Sequence, residues 1–412
     1  MQDDFFNVVS VQEFLNFRKQ FNPICSEELI GIDESVFRIL SQDLFSPEEL
    51  PPFARSCMDG YAVNSQDLFG ASDSNPVYLE CIDDIAVNSL PAFPIRSGQC
   101  SQLATGSILP SGADSVVMIE YCDNAGANEI EVRRPVTPGE NVMQKGEDCS
   151  FNELILSAGS KVRPQETGLL SALGFSQVPV LKKPRIGLLT TGDELVDIRQ
   201  TPQPGYVRDV NSHTIASWIR TINSESKHYG IVSDDRSELN NTLENAVDEC
   251  DLVLVTGGSS VGARDITLQS FSDLGNLLQN GVSLSPGKPT LLANIKGKPV
   301  LGLPGQVTST LIVMFVLVLP YIRYISGESD FDSSVYYNTK SAVLSRNVSS
   351  KPGREDYIRV YLQKDEPGYL LAVPVLGKSG LLNTMLDADG LIKVESNLEG
   401  LKKGSSVEVY IL

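Results

Sequence analysis

Histidine is almost missing from this chain: His213 and His228 are the two copies in 412 residues. That scarcity nearly removes His-based triads and His-rich metal centres, so acid–base and metal chemistry must lean on carboxylates. His213 is expected on the first turn of a helix and His228 at the start of a strand. Paired cysteines are also missing. The seven cysteines, Cys25, Cys57, Cys81, Cys100, Cys122, Cys149 and Cys250, are scattered, odd in number and without a CxxC pair. Zinc clusters and a disulfide framework are disfavoured, and a reducing cytoplasmic setting is expected. Basic residues are few: 33 Lys and Arg stand against 52 Asp and Glu, a net charge of −19. Nucleic acid, which needs a basic face, is therefore not an expected partner. A small anion can be bound only in a local pocket of N–H, Lys and Arg groups. Residues Met1 to Asn7 are acidic and no apolar leader follows, so no signal peptide is expected. The longest apolar run, Leu311 to Leu319, closes at Pro320. It is shorter than the ~20 residues a bilayer takes, which predicts a helix buried on all sides.

What is present is length for several cores and a changing pattern along the chain. Residues 8–50 carry helical spacing, first through Val11, Phe14 and Leu15, then through Val36, Ile39, Leu40 and Leu44. Residues 53–145 turn to short β-like runs between Gly and Pro, at Val77–Cys81, Ser115–Ile119 and Glu129–Val132. A helix is expected from Pro164 to Leu173. Residues 184–326 alternate strand and helix, the pattern of a doubly wound sheet with ligands at the carboxyl ends of its strands. Beyond 330 the helical period is lost and Gly-bounded β runs suggest a small barrel or sandwich. The expected fold is multidomain α/β. A mixed, helical N-terminal domain (1–50 and 146–182) is interrupted by a β-rich insertion (51–145). A doubly wound sheet domain (183–328) and a C-terminal β-barrel-like domain (329–412) follow.

The chemistry concentrates in loops. Leu252 to Val255 reads as a buried strand ending in Thr256-Gly257-Gly258-Ser259-Ser260, with Arg264 and Asp265 just beyond. Glycines let backbone N–H groups face an anion, Arg can clamp it, and Asp can hold Mg2+ or move a proton. A bare Gly-Gly pair is usually a tight turn; the added Ser, Arg and Asp favour a ligand. Thr190-Thr191-Gly192-Asp193-Glu194 ends the first strand of the sheet domain, where carboxylates could equally cap a helix. Ser285-Pro286-Gly287-Lys288-Pro289 sets one cation in a stiff turn. Gly302-Leu303-Pro304-Gly305 precedes a helix that starts with Thr308 and Ser309, an arrangement suited to an anion but weaker than a P-loop. Ser56-Cys57-Met58-Asp59-Gly60-Tyr61 reads as a turn into a strand and means little alone.

Together these loops resemble one family, molybdopterin molybdenumtransferase, which is also similar to the C-terminal E domain of gephyrin. The likeness runs over essentially the whole chain. It is carried by PPFARSCMDGYAV (51–63), LATGSILPSGADSVVMIE (103–120), GEDCS (146–150), TTGDELV (190–196), DVNSHT (209–214), TGGSSVGARD (256–265), PGKP (286–289) and GLPG (302–305). The resemblance implies four domains in a cytoplasmic homodimer with the active site between subunits. It implies that adenylylated molybdopterin and molybdate enter, AMP leaves and molybdenum is placed on the dithiolene, with Mg2+ required. It gives catalytic positions to Asp59, Thr105, Asp148, Glu194 and Asp265, and Mg2+ ligation to Asp234 and Asp265. Substrate binding falls to Gly257, Gly258, Ser260, Lys288, Pro289, Ser309, Arg354 and Ser379, and leaves Arg264 without a fixed role.

The chain departs from the family pattern at three points. Ser285 stands for the first Lys of Lys-Pro-Gly-Lys-Pro, Gly281 for a second Lys, and Gly305-Gln306-Val307 for Gly-Asn-Pro. Each missing cation is expected to weaken polyanion binding by about 1 kcal/mol or more if desolvated. The lost lysines favour a non-catalytic scaffold or altered paralogue; the retained carboxylates favour the enzyme. A third reading, a pterin binder built on the sheet alone, makes Asp59 irrelevant.

Overall fold

In the computed structural model the described residues are 8–257, 261–329, 338–365, 368–377 and 380–412, the side chains of 261–264 excepted. Two compact units make up the chain: Gln42–Ala158 with Pro164–Gln177, and Met1–Ser41 with Gly159–Arg163 and Val178–Leu412. The segment expected as an N-terminal domain is divided between them.

The first helix, Val11–Asn16, starts where Ser10 and Glu13 satisfy each other's backbone N–H groups in a capping box, and it buries Val11, Phe14 and Leu15. The second helix expected around Val36–Leu44 does not form. Phe37 sits at φ +64°, outside helical space. Ile39 and Leu40 instead form β-bridges to Lys161 and Val180, so tertiary pairing overrides the local period.

The smaller unit carries a six-stranded sheet. Its order is Ser115–Met118, Gly60–Val63, Gln99–Leu103, Val77–Ile85, Glu129–Val132, Cys122–Asn124. Alternate positions such as Ile130 and Val132 point inward onto Tyr61, Leu68, Leu79 and Val117.

The larger unit is built on a second six-stranded sheet, ordered Glu225–Val232, Arg185–Thr191, Leu252–Gly257, Lys298–Leu303, Leu291–Ile295, Asn276–Asn280. The first four strands are parallel, and Leu291–Ile295 returns antiparallel as a hairpin with Lys298–Leu303. His228 falls in the middle of its strand rather than at the start, because pairing with Arg185–Thr191 begins at Glu225. Helices Asn211–Thr221 and Val307–Ile325 cover one face through Ile215, Ile219, Ile312 and Leu317. Helices Arg236–Glu249 and Val261–Leu274 cover the other through Leu239, Leu243, Val247 and Phe271. The sheet is doubly wound, with its cores on both faces.

Val307–Ile325 is long and apolar enough to cross a membrane, yet 89% of its most apolar stretch is buried inside the protein. It runs past Pro320. The turn Met314–Val318 widens to π geometry, with the Leu319 N–H donating to the Met314 carbonyl. A proline lacks an N–H and crowds the carbonyl four residues back, and a π turn is a known way to absorb that conflict.

Strands Glu355–Lys364, Leu370–Pro374, Thr339–Leu344, Ser406–Ile411 and Gly390–Val394 close on themselves as a five-stranded barrel. It is filled by Leu344, Val360, Ala372, Ile392 and Val409. Leu284–Ser285 extends that barrel sheet by pairing in parallel with Glu355–Asp356.

Candidate active site

The parallel strands end together. Thr190 lies opposite Ile231 and Thr256, and Thr256 lies opposite Leu303. Their carboxyl ends bring the 190–194, 233–235, 256–257 and 303–308 segments to one edge, the usual ligand edge of such a sheet. A buried polar chain ties this edge down. Thr256 Oγ1 donates to Thr190 Oγ1 at 3.3 Å, Thr190 Oγ1 donates to Asp209 Oδ2 at 3.1 Å, and Asp209 Oδ1 accepts from the Ser212 N–H at 3.1 Å. Asn211 Nδ2 donates to the Gly305 carbonyl at 3.0 Å, fixing the Gly-Leu-Pro-Gly turn. Two buried atoms at this edge, Thr191 Oγ1 and Asn211 Oδ1, have no protein partner, a condition that a bound polar group relieves. Gly257 is at φ +144°, and a Cβ there would stand 2.1 Å from the Thr191 carbonyl oxygen. The opening glycine of this loop is thus a steric requirement of the strand end.

Glu194 is half-buried. Its loop is held by parallel pairing of Leu195–Val196 with Val207–Arg208 and by the Val207 N–H donating to the Glu194 carbonyl at 2.9 Å. Asp193 Oδ1 accepts from the Asp234 N–H at 3.0 Å. Burial, and next the charges of Asp193 and Glu194, push the Asp234 carboxyl above its ordinary range. Asp234 is therefore joined to Asp193 and Glu194. Asp265, its expected partner, is half-buried in the Val261–Leu274 helix and is not among the charges acting on it. Among the described residues no group of three His, Cys, Asp or Glu side chains is arranged to hold a metal by itself.

A cleft of about 390 Å³ opens where the Ser285-Pro286 turn and Thr308 meet the barrel residues Arg354, Asp356 and Arg359. Thr308 and Ser309 are buried in the first turn of their helix. Arg354 lies 3.2 Å from the Asp356 carboxylate, which also accepts from Ser350 Oγ. Arg359 donates to Thr384 Oγ1 and to the Gly377 carbonyl at 3.0 Å, and burial depresses its pKa. Lys288 is exposed and Pro289 half-buried on the same turn. The turn is anchored by the Val282 N–H donating to the Lys288 carbonyl at 3.0 Å. Gly281 is buried at φ +110°, a conformation that a lysine adopts only with strain.

In the other unit Asp59 and Thr105 form a pair. Asp59 Oδ1 accepts from the Thr105 N–H at 2.7 Å and from Thr105 Oγ1 at 2.8 Å. These bonds, the backbone one foremost, hold the exposed Asp59 carboxyl below its ordinary range. Asp148 is exposed, and its N–H donates to the Leu50 carbonyl at 2.9 Å. Gly258, Ser260 and Ser379 lie outside the described residues, as does the side chain of Arg264.

Two residues of this edge and cleft were not picked out from the sequence, Asp209 and Arg359, and Asp193 was noted only as one of two carboxylates in its loop. Asp209 sits in the DVNSHT motif without an assigned role. Arg359 had one available signal, its place two turns of alternation beyond Glu355 in a β-like run.

Comparison with known proteins covers the chain in three parts. A MoeA N-terminal region (domain I and II) matches residues 9–174, a probable molybdopterin binding domain residues 187–324, and a MoeA C-terminal region (domain IV) residues 341–412. A molybdopterin molybdenumtransferase of Nostoc sp. is 32% identical, covering 80% of this chain and 76% of the relative. One of Bacillus subtilis is 29% identical, covering 98% and 93%. The crystal structure of a molybdopterin biosynthesis MoeA protein from Pyrococcus horikosii superposes with a TM-score of 0.80 at 33% identity, covering 98% of this chain and 99% of that one. With its sheet, barrel and loops matched over nearly their whole length, the chain belongs to the molybdopterin molybdenumtransferase family, a family of transferases.

Proposed function

We propose that this protein inserts molybdenum into molybdopterin, taking adenylylated molybdopterin and molybdate and releasing AMP. The observation that carries this reading is the cleft shared by the 285–308 segment and the barrel. It presents Arg354, paired with Asp356, and Arg359, held by the Thr384 hydroxyl and the Gly377 carbonyl, and it belongs to the same unit as the acidic strand ends. The cleft can take an anion at its arginines and the strand ends a cation at their carboxylates, and neither asks anything of histidine. In this reading Gly257, Gly258, Ser260, Lys288, Pro289, Ser309, Arg354 and Ser379 bind the substrates. Asp59, Thr105, Asp148, Glu194 and Asp265 serve the reaction. The working form is a cytoplasmic homodimer whose site is completed between subunits.

Mg2+ is the metal this reading requires, and the residues fit it. It prefers carboxylate oxygens and commonly uses one or two of them beside water and substrate phosphate. The crowding that resists ionisation at Asp234 is of the kind a cation relieves. Asp234, with Glu194 beside it, would hold it, and Asp265 is the further ligand that the family resemblance expects. Bound there, Mg2+ would supply charge neutralisation to the departing AMP phosphate. Asp59 has a different part: the two Thr105 donors keep its carboxylate ionised and oriented, ready to accept a proton or hydrogen bond.

The direct test is AMP release from adenylylated molybdopterin in the presence of molybdate and Mg2+. Molybdate-dependent release supports the transferase. Tight pterin binding with no release supports a non-catalytic scaffold, the second reading, which the loss of cations at Gly281 and Ser285 favours.

A further inference from the structure

The two histidines of the chain meet. His213 stands in the first turn of the helix Asn211–Thr221, and His228 in the edge strand Glu225–Val232. Their ring centroids lie 6.1 Å apart. Local geometry brings them there. The turn 222–224 reverses the chain between helix and strand. His213 lies about 12 Å back from the helix end at the helical rise. His228 lies about 10 Å into the strand at the strand rise. Alternation then sets the face. Lys227 and Tyr229 both reach Glu249 of the helix Arg236–Glu249, so His228 points to the opposite face, the one that Asn211–Thr221 covers. The register with Arg185–Thr191 skips Tyr229, and Gly230 follows at φ +87°. A bulge of this kind re-aims a side chain at a sheet edge.

Neither imidazole is committed elsewhere. Both residues are exposed, and among the described residues neither ring has a hydrogen bond or an ion pair. The carboxylates that act on the pair are already held. Asp209 accepts from Thr190 and Ser212, and Asp197 accepts from Arg199 at 2.9 Å. Partial desolvation, then the nearness of His213, hold His228 below the ordinary imidazole range, so at neutral pH it is in its ligating form. Arg220 also acts against positive charge there, so a cation must be held by bonds to nitrogen rather than by the local field. A metal about 2 Å from a ring nitrogen stands about 3 Å from the ring centroid, and centroids 6.1 Å apart are spanned by one such ion. We propose that His213 and His228 form a surface site for one divalent transition-metal cation, of the class that favours imidazole nitrogen. Water completes its coordination. The site is distinct from the carboxylates around Asp234, which offer oxygen. An ion here clamps the helix to the edge strand, next to Asp209 and Asn211, which tie down the ligand edge. This inference does not depend on the transferase reading.

The test is calorimetric titration of the full chain with Ni2+, in saturating Mg2+ so that oxygen sites are filled. One Ni2+ per chain is expected. His213→Gln and His228→Gln should each weaken it about a hundredfold, the advantage of a second ligand already in place. Asp234→Asn should leave it unchanged. Ni2+ should raise the melting temperature of the wild type and of neither histidine variant. Without Ni2+ both variants should melt with the wild type, since both side chains are exposed. Unchanged Ni2+ affinity in either histidine variant overturns the inference. So do two weak sites of which each variant removes one, the result for independent imidazoles. Loss of the ion in Asp234→Asn, with both histidines intact, overturns it as well. If a variant melts early without metal, the wild type is read by the electron paramagnetic resonance of bound Cu2+. Splitting from two imidazole nitrogens supports the site, and splitting from one or none overturns it.

Discussion

Asp59 and Asp234 are the same side chain tuned in opposite directions. Asp59 is exposed on a turn of the smaller unit, and two donors from Thr105 favour its charged form. Asp234 is half-buried at the sheet edge of the larger unit, where burial and two neighbouring carboxylates disfavour its charged form. The first is satisfied by the protein itself. The second is left with a charge problem that the protein does not solve. The difference separates a carboxylate set up to act as an oriented acceptor from one set up to receive a cation.

The largest expected effect tests the rigidity of the Asp234 side. Gly257→Ala places a Cβ against the Thr191 carbonyl oxygen, 2.1 Å away, at φ +144°. Neither a backbone oxygen nor a buried strand can move aside easily. Loss of about 3 kcal/mol or more in urea unfolding is expected. Replacement of the exposed Asp59 should leave the unfolding midpoint nearly where it was. Equal effects of the two changes would erase the contrast between a buried edge and a solvated turn.

The next effect is on activity. Asp59→Asn keeps the shape and removes the charge, so AMP release should fall about a hundredfold, in the range of a lost acid–base group. Thr105→Val removes one donor and should cost about tenfold, as for one charge-assisted hydrogen bond. Full activity in Asp59→Asn would move the chemistry to the sheet edge alone and favour a binder built on that sheet.

Much of the sheet and barrel was legible in the sequence because their signals are local. Apolar runs such as Leu252–Val255 and Val300–Leu303 sit between Gly and Pro, and fully buried strands need only that. The helix expected around Val36–Leu44 failed because its apolar spacing also fits residues that bridge to Lys161 and Val180, contacts more than a hundred residues away that no window contains. The site divides the same way. Asp59 and Thr105 lay in separate motifs, and their pairing is a tertiary fact. The TTGDELV motif marks Glu194, but the crowding of Asp234 by Asp193 and Glu194 follows from the parallel register of Arg185–Thr191 with Glu225–Val232. Arg359 was hidden because the groups that hold it, the Thr384 hydroxyl and the Gly377 carbonyl, come from later segments of the chain.

A smaller effect concerns metal binding. On the proposed assignment of Mg2+ to Asp234, a proton would compete with the cation, so Mg2+ affinity should fall by up to about tenfold per pH unit once pH drops below the raised pKa. Calorimetric Mg2+ titrations across the acidic range would show this slope. Asp234→Asn should weaken binding and flatten the slope, while Asp59→Asn should leave it intact. A slope that persists in Asp234→Asn would transfer the cation to other carboxylates and undo the assignment.

The smallest effect is on stability, and its sign distinguishes the two aspartates. The folded-state pKa of Asp59 is lowered, so the stability it contributes is present above its unfolded pKa and lost as pH falls through the folded one. That of Asp234 is raised: the folded protein holds the proton more tightly than the unfolded chain. Stability is greatest below the unfolded pKa and declines as pH rises through the folded one. At neutral pH the Asp234 carboxylate is therefore a small burden on the fold, and Asp234→Asn should shift the melting temperature slightly upward in metal-free buffer. With saturating Mg2+ the wild type should recover that difference, because a bound cation stabilises the charged form, whereas the variant should gain less. A downward shift for Asp234→Asn without metal would mean that its carboxylate is already satisfied within the protein, and the contrast with Asp59 would no longer point to a cation.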